Sequence, residues 1–291
     1  MSGGEWRRPN NMATMVKDKL SALREIISRY ESVVIGFSGG IDSSFLLKVA
    51  VETLGGHKVR AITGNSESLM PGELEFCSAL AMEIGLSPEN FIVVDTEELS
   101  DPNYSKNPVD RCYYCKAELF GKLTDLALNM GADAVFDGSN ADDLGDWRPG
   151  RRAAGERGVV SPLAEAGITK AELREMAREC GLPNWDKPAM ACLSSRIPYG
   201  SEVTLEKLER VARAERYLKS LGFTQLRVRH YDKLARIELL TEEMPRFFQD
   251  DLYSRAANAL KSMGFSFVTV DLHGYRSGSM NEGLGLEGDN D

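Results

Sequence analysis

A strand that leads straight into a glycine turn and a helix constrains the fold of this chain more than any other feature. Residues 32–37 read SVVIGF, a continuous apolar run that is typical of a strand buried on both faces of a parallel sheet. The turn SGGIDSS follows at residues 38–44, and a helix is predicted over 43–54. This order of elements predicts an α/β fold.

The same alternation continues through the first two thirds of the chain. Further strands are predicted at 57–63, 91–95 and 134–137, and helices at 15–28, 71–84, 114–130 and 169–179. The short links between them indicate a doubly wound parallel sheet, which binds ligands at the carboxyl ends of its strands. Thr169 and Glu172 predict a capping box on the last of these helices. Residues 141–158 are rich in Gly, Asp and Arg and are predicted to form a long loop.

The pattern changes near residue 201, where a smaller α/β layer is predicted. Its elements are a helix at 205–220, strands at 225–230 and 234–240, a helix at 243–263 and a strand at 267–271. We therefore expect four segments: a flexible leader at 1–12, a ligand-binding domain at 13–200, a small substrate or oligomerisation domain at 201–275, and a flexible acidic tail at 276–291.

Composition narrows the class of protein. The 291 residues include 5 Cys and 3 His, and the formal net charge is −9. There is no run of about 18 apolar residues and no apolar signal-peptide core at the amino terminus, so we expect a cytoplasmic protein with reduced thiols. The acidic balance argues against membrane or nucleic-acid partners, and the few histidines argue against a His-rich metal site.

The glycine turn has the chemistry of an anion site. Gly39 and Gly40 let backbone N–H groups approach an anion, and the helix that follows adds its unpaired N–H groups. Hydroxyl donors come from the three serines of the turn, Ser38, Ser43 and Ser44. Asp42 can hold Mg²⁺, and the P-loop lysine is missing, so this is not a Walker A loop. The simpler alternative is a helix amino terminus preceded by two turn glycines.

SGGIDSS resembles the signature loop of the PP-loop ATP pyrophosphatases, which grip the pyrophosphate of ATP and transfer AMP to a substrate oxygen. The resemblance implies that residues 13–200 form a PP-loop ATP-binding domain. Because they follow neighbouring strands, Thr63 and Ser66 are expected to meet adenine, and Gly138 to lie beside ATP or Mg²⁺. Three nearby arginines either close over phosphates or form a solvated charge run: Arg148, Arg151 and Arg152.

Two cysteine-bearing blocks narrow the resemblance. RCYYCK at residues 111–116 and ACLSSRIPYG at 191–200 are similar to those of the LarE family of ATP-dependent sulfur transferases, over roughly residues 15–275. That family adenylates a pyridinium biscarboxylate mononucleotide and replaces AMP by sulfur, on the way to the nickel-pincer nucleotide of lactate racemase. The resemblance implies that Asp42 and Arg196 belong to the catalytic site.

The family supplies sulfur in two ways. In one, a single cysteine in the position of Cys192 is sacrificed and becomes dehydroalanine. In the other, three cysteines hold a [4Fe-4S] cluster whose spare iron carries an extra sulfide, and all three positions are filled here, by Cys112, Cys115 and Cys192. A C-x-x-C pair at a helix start plus a distant thiolate fits the cluster, which is the hypothesis we adopt.

Three alternatives for the cysteines stay open. They are a zinc site completed by Cys180 or a His, sacrificial use of Cys192 alone, and plain buried thiols. Cys77 and Cys180 stand at apolar-periodic positions of helices, so both are predicted to be small core residues.

The second region carries a candidate substrate face. Glu215 falls on the apolar stripe of the helix at 205–220, which is costly unless the carboxylate is paired, binds a metal or reaches solvent at the edge. A two-residue hairpin turn at 232–233 would pair Arg227 with Glu238 and Arg229 with Arg236. Two arginines directly opposite each other repel unless an anion such as a phosphate lies between them. The alternative is that these side chains form a polar face that is simply solvated. The resemblance favours the substrate's phosphate, with Glu215 and Glu238 near the reacting group or a metal.

We therefore expect sulfur insertion into a pyridinium mononucleotide by a homo-oligomer, from a sulfide source that the sequence leaves open. Thiolation of tRNA by a related PP-loop enzyme is the first alternative, disfavoured by the acidic pI and by the lack of an amino-terminal zinc module. A non-catalytic nucleotide sensor is the second.

Overall fold

A computed structural model describes residues 10–145, 149–188, 191–276 and 278–280. The chain forms two compact units. Unit 1 comprises residues 1–65, 72–96 and 112–190, and unit 2 comprises residues 66–71, 97–111 and 191–291. Among the described helices, none is long and apolar enough to cross a membrane.

The regular elements follow one another in the order that the sequence predicts, with three additional short helices and one predicted helix divided in two. The strands are β1 (Val33–Gly36), β2 (Val59–Asn65), β3 (Phe91–Asp95), β4 (Ala134–Phe136), β5 (Leu226–Tyr231), β6 (Leu234–Leu239) and β7 (Phe267–Val270). The helices are α1 (Asn10–Ser28), α2 (Ile41–Leu54), α3 (Glu73–Ile84), α4 (Pro102–Ser105), α5 (Arg111–Met130), α6 (Pro149–Glu156), α7 (Pro162–Glu165), α8 (Lys170–Glu179), α9 (Leu205–Ser220), α10 (Met244–Phe247) and α11 (Leu252–Ser262).

Unit 1 contains a four-stranded sheet in the order β3-β2-β1-β4, and every neighbouring pair is parallel. Strand β1 lies in the interior of the sheet, which explains why its residues Val33, Val34 and Ile35 are all buried. The sheet confirms the predicted parallel α/β fold. It brings the carboxyl ends of β1 and β4 to one edge, where the glycine turn follows β1.

Unit 2 contains a three-stranded sheet in the order β5-β6-β7, with β5 and β6 antiparallel and β7 parallel to β6. Helix α9 buries Leu208, Val211 and Leu218. The hairpin pairs Arg227 with Glu238 and Arg229 with Arg236, so the predicted register is confirmed. The predicted second, smaller α/β layer is present.

Two predicted elements are wrong. The predicted loop at 141–158 contains α6, which Pro149 can start because the first helical position needs no N–H, and which buries Ala153 and Ala154. The predicted single helix at 243–263 is two helices, α10 and α11. They are separated where Asp250 and Asp251 take positive φ angles of 48° and 56°, a conformation that ends a right-handed helix.

Unit 2 also takes in two short segments from the first half of the chain. The Leu193 N–H donates to the Ser68 carbonyl oxygen at 2.8 Å, and the Val203 N–H donates to the Ser105 carbonyl oxygen at 2.7 Å. The buried Asn107 side chain donates to the Pro198 carbonyl oxygen at 2.7 Å. The compact units therefore cross the predicted boundary at residue 200, because backbone hydrogen bonds tie residues 66–71 and 97–111 to the segment after residue 191.

Candidate functional site

The glycine turn of unit 1 is built around one position that only glycine can occupy. Gly39 has φ +66°, and a Cβ there would lie 2.8 Å from Cys77 Sγ. A side chain would therefore be strained in its backbone and would clash with a fully buried neighbour. The turn is compact because β1 must pass into α2 within four residues.

The amino terminus of α2 is left open toward its exposed side. Gly40 is the N-cap residue, and no described side chain caps the helix there. The first N–H groups of any helix have no intrahelical partner, so they remain available to an anion. Gly138, just after β4, approaches this backbone so closely that a Cβ would lie 2.9 Å from the Ser43 nitrogen.

The hydroxyls of the turn hold its shape. Ser43 Oγ accepts from the Ser38 N–H at 3.2 Å and donates to the Gly40 carbonyl oxygen at 3.1 Å. Ser44 Oγ donates to the same carbonyl at 2.8 Å. Asn184, a residue that sequence reasoning missed, donates from one amide nitrogen to Gly39 O and to Ser44 Oγ, both at 3.0 Å. These contacts fix the backbone of the turn.

Asp42 has a partner on each carboxylate oxygen. The Lys170 ammonium contacts Oδ2, and Asn140 Nδ2 donates to Oδ1 at 3.1 Å. Lys170 is the first residue of α8, where its backbone N–H donates to Asp142 Oδ2 at 2.8 Å. The turn lacks a lysine of its own, so Lys170 brings the missing positive charge from 128 residues away. A Mg²⁺ ion on Asp42 would have to compete with this ammonium.

The residues expected near adenine belong to different units. Thr63 is buried in unit 1, where its hydroxyl donates to the Phe37 carbonyl oxygen at 2.7 Å. Ser66 belongs to unit 2 and shares a hydroxyl contact with Ser68 at 2.8 Å. Thr63 therefore ties β2 to the end of β1, which supports the turn.

The arginines after β4 have local partners. Arg151 donates to the Asp143 carbonyl oxygen at 2.8 Å. The Arg152 guanidinium carbon lies over the Tyr113 ring, 3.9 Å from the ring centroid, and Arg152 Nε lies 3.7 Å from Glu156 Oε1. Arg148 lies outside the described residues.

The five cysteines differ in their surroundings. Cys112 and Cys115 lie in the first two turns of α5, and Cys112 is exposed while Cys115 is half-buried. Burial raises the pKa of the Cys77 thiol to about 11, which confirms it as a core residue. Cys180 is exposed, so its predicted core position is wrong: it caps the carboxyl end of α8, where the helix turns into solvent. Cys192 is exposed in unit 2.

No three His, Cys, Asp or Glu side chains among the described residues are grouped so that they could hold a metal ion. Cys112 and Cys115 belong to unit 1 and Cys192 to unit 2.

Glu215 is fully buried in unit 2 and forms a two-pronged ion pair with Arg196. The distances are 2.9 Å from Arg196 Nε to Oε1 and 3.1 Å from Nη2 to Oε2. Oε1 also accepts the Val228 N–H at 3.0 Å. The carboxylate is thus paired with protein groups on both oxygens, which is one of the outcomes that the sequence left open, and it neither reaches solvent nor stands open to a metal.

Arg196 in turn anchors the segment that carries Cys192. Its Nη1 donates to the carbonyl oxygens of Ala191 at 2.6 Å and Cys192 at 3.0 Å, and to Ser195 Oγ at 2.9 Å. The Arg196 side chain is 2% exposed, so its role is to hold the backbone of this segment in place.

The opposed arginines of the hairpin are neutralised by a carboxylate of the same sheet. Glu238 accepts Arg229 Nε at 2.9 Å and Nη2 at 2.8 Å, and it accepts Arg236 Nη2 at 2.8 Å. Glu238 therefore removes the reason for expecting a bound anion between Arg229 and Arg236. Glu238 is fully buried and fills that place itself.

The positive charge of Arg227 remains available to a ligand. It is half-buried, donates to the Leu226 carbonyl oxygen at 2.8 Å, and lies over the Tyr275 ring at 5.0 Å from the centroid. Burial lowers the pKa of its guanidinium, and the charge of Arg196 lowers it further. Within the described part of unit 2 it forms no ion pair, so it is the arginine of the predicted face that can best receive an anion.

Comparisons with known proteins bear on both sites. The NAD synthase family model matches residues 13–112, which include the glycine turn. A pyridinium-3,5-bisthiocarboxylic acid mononucleotide synthase of Lactiplantibacillus plantarum is 40% identical over 94% of this chain and 97% of its own length. The chain belongs to the LarE family of ATP-dependent sulfur transferases. Uncharacterised proteins of Synechocystis and Methanocaldococcus jannaschii are 49% and 30% identical, over 93% and 85% of this chain and 99% and 92% of their own lengths.

The family's PP-loop domain contains the open amino terminus of α2 in unit 1, which suits the phosphates of ATP. The half-buried Arg227 of unit 2 suits the anionic group of a second ligand.

Proposed function

We propose that this chain inserts sulfur into pyridinium-3,5-biscarboxylic acid mononucleotide, in the biosynthesis of the nickel-pincer nucleotide. The supporting observation is its likeness, over nearly its whole length, to a synthase named for the corresponding bisthiocarboxylic acid. The open anion site after β1 supports the use of ATP in this reaction.

The chain's own residues prepare the adenylation step. The N–H groups at the start of α2 bind the pyrophosphate part of ATP, and the Lys170 ammonium offsets its charge. A substrate carboxylate oxygen forms a bond to the α-phosphorus, the bond from that phosphorus to pyrophosphate breaks, and pyrophosphate leaves. Sulfur then displaces AMP at the activated carboxyl carbon. We propose that Asp42 holds the Mg²⁺ that accompanies ATP, once Lys170 has moved from the carboxylate to the phosphates.

The substrate's phosphate is proposed to bind Arg227 in unit 2. Arg196 and Glu215 position the Cys192 segment and the strand that carries Arg227, while Arg229 and Glu238 stabilise the neighbouring rung of the hairpin. Arg196, Glu215 and Glu238 then act through structure, and Arg227 and Arg229 are the arginines proposed to contact the substrate.

We keep the three-cysteine hypothesis for the sulfur source. The type of donor supports it, since Cys112, Cys115 and Cys192 are thiols with at least partial exposure and thiolates are the usual ligands of iron–sulfur clusters. When bound, a [4Fe-4S] cluster held by three thiolates supplies an iron without a protein ligand, which can carry sulfide.

Metal analysis separates the two sulfur sources. Anaerobically purified protein is expected to hold about four irons per chain, as a [4Fe-4S] cluster requires. The C192A variant is expected to lose this iron, while the matched C180A variant, also at an exposed cysteine, keeps it. Iron-free protein that transfers sulfur once, and loses the sulfur of Cys192 in doing so, would instead establish sacrificial transfer.

The proposed activity is tested with ATP and pyridinium-3,5-biscarboxylic acid mononucleotide under anaerobic conditions. We expect pyrophosphate release that depends on this substrate, and a thiocarboxylate product detected by mass spectrometry. Substrate-dependent pyrophosphate release with no sulfur-containing product, from both iron-loaded and sulfide-supplied protein, would contradict the assignment.

A further inference from the structure

The chain after β7 folds back onto the hairpin of unit 2. Gly274 has φ +69°, and a Cβ there would lie 2.6 Å from the Leu239 carbonyl oxygen, so this return requires glycine. The Tyr275 N–H donates to the same carbonyl at 2.7 Å. We call the described residues 274–276 and 278–280 the C-terminal strap.

The C-terminal strap covers both arginines that the sequence assigned to the substrate. The Tyr275 ring lies beneath the Arg227 guanidinium. Ser279 Oγ accepts from Arg229 Nη2 at 2.7 Å and lies 3.4 Å from Glu238 Oε1, to which it donates. Ser279 is 7% exposed, although it falls in the tail that the sequence predicts to be flexible.

Among the partners of Arg229, the hydroxyl of Ser279 is the one that can be exchanged. The other partners are Glu238, in the same sheet, and the Ser195 carbonyl oxygen at 2.8 Å, in the segment held by Arg196. A neutral hydroxyl forms a weaker bond to a guanidinium than an anionic oxygen does. An incoming phosphate or carboxylate therefore gains a charge-assisted bond where the strap has a neutral one.

We propose that the C-terminal strap competes with the anionic group of the substrate for Arg227 and Arg229, and leaves them when the substrate binds. The proposal rests on the proposed function only for the identity of the ligand. The expected ligand is a pyridinium mononucleotide, which carries a phosphate and a ring carboxylate.

The test measures binding of nicotinic acid mononucleotide and of inorganic phosphate by calorimetry, in the full chain. The S279A variant removes the competing hydroxyl and is expected to bind the mononucleotide about three- to tenfold more tightly, the range set by one hydrogen bond. The S279D variant places a carboxylate on Arg229 and is expected to bind it at least about tenfold more weakly. The S262A variant is the control, because the Ser262 hydroxyl bonds only locally, to the Ala259 carbonyl oxygen at 2.7 Å.

A second measurement needs no substitution. Arg276 lies in the strap, so trypsin cleavage after it reports whether the strap has detached. Saturating mononucleotide is expected to increase the rate of this cleavage, followed by mass spectrometry of the released peptide. Slower cleavage with ligand, or weaker ligand binding by S279A, would show that the strap is part of the binding site and would overturn the proposal. Neither readout needs turnover, so a chain that shows both effects but makes no thiocarboxylate would refute the proposed function alone.

Discussion

Replacing Glu215 by Gln tests whether this residue holds unit 2 together or acts on a ligand. The change preserves shape but removes the charge that faces Arg196, whose guanidinium is 2% exposed. Gln can still accept the Val228 N–H with its oxygen. Its amide nitrogen, however, is a donor that would face the Arg196 Nη2 donor across the present 3.1 Å contact.

The loss in the free energy of unfolding depends on which hydrogen bonds remain after Glu215 is replaced by Gln. Breaking a buried ion pair by removing one partner costs about 3–5 kcal/mol, because the other charge is left uncompensated. The Gln oxygen can keep two of the original three hydrogen bonds, those from the Val228 N–H and from Arg196 Nε, so we expect the lower end, a loss of about 3 kcal/mol in the free energy of unfolding. For a domain of this size, the melting temperature should then fall by about 6–12 °C.

The assay is urea unfolding followed by circular dichroism, with E206Q as the matched control. Glu206 lies on the same helix α9 and pairs with Arg210, but its side chain is 78% exposed, so its loss should cost less than about 1 kcal/mol. The double variant R196M/E215L should recover much of the stability, since a buried pair can be replaced by apolar residues. If E215Q unfolds like the wild type and yet loses turnover, Glu215 acts on substrate or metal, and the structural reasoning is wrong.

Three further changes test other parts of the structure. K170Q should weaken binding of ATP and pyrophosphate about tenfold or more but leave AMP binding unaffected in calorimetry. The control is K19Q, which breaks the ion pair between Lys19 of α1 and Glu172 of α8. An equal loss for AMP would make Lys170 a support of the turn. G138A places a methyl group 2.9 Å from the Ser43 nitrogen and should cost about 1–3 kcal/mol, whereas G145A meets nothing within 4 Å and should be neutral in thermal unfolding. Burial lowers the pKa of His230 from 6.5 to about 4. As the pH falls, the unfolded chain therefore takes up the His230 proton before the folded chain does. The contribution of His230 to the free energy of unfolding should be complete above pH 6.5 and should fall by at most about 3 kcal/mol as the pH drops to about 4. H230F should flatten this pH dependence in urea titrations.

The sequence predicted the features that depend on neighbours along the chain. The apolar run at β1 and the Thr169–Glu172 capping box have local signatures, and the structure shows both. The hairpin register was predictable because a two-residue turn determines which side chains oppose each other.

The missed residues depend on contacts that have no such signature. Asn184 and Lys170 reach the glycine turn from segments more than a hundred residues away. Glu215 stood out as a costly carboxylate on an apolar stripe, but its partner Arg196 lies in an irregular segment that no periodicity describes. Cys180 matched the apolar period of its helix, yet the last turn of a helix often points its side chains into solvent, so the period alone placed it wrongly.

The charges of unit 2 indicate what kind of anion its arginine face can hold. The connected ion pairs and stacked rings include Arg196, Arg227, Arg229, Arg236 and Arg276, together with Glu215, Glu238 and Asp271. Five guanidinium groups against three carboxylates leave two positive charges in this set, because arginine stays protonated at neutral pH. A phosphate monoester carries about −1.5 to −2 charges at pH 7, so it would nearly neutralise the face, whereas a single carboxylate would not. Arg227 is the arginine of this set that forms no ion pair with a carboxylate among the described residues. We therefore expect the phosphate of the substrate, rather than its ring carboxylates, to bind there.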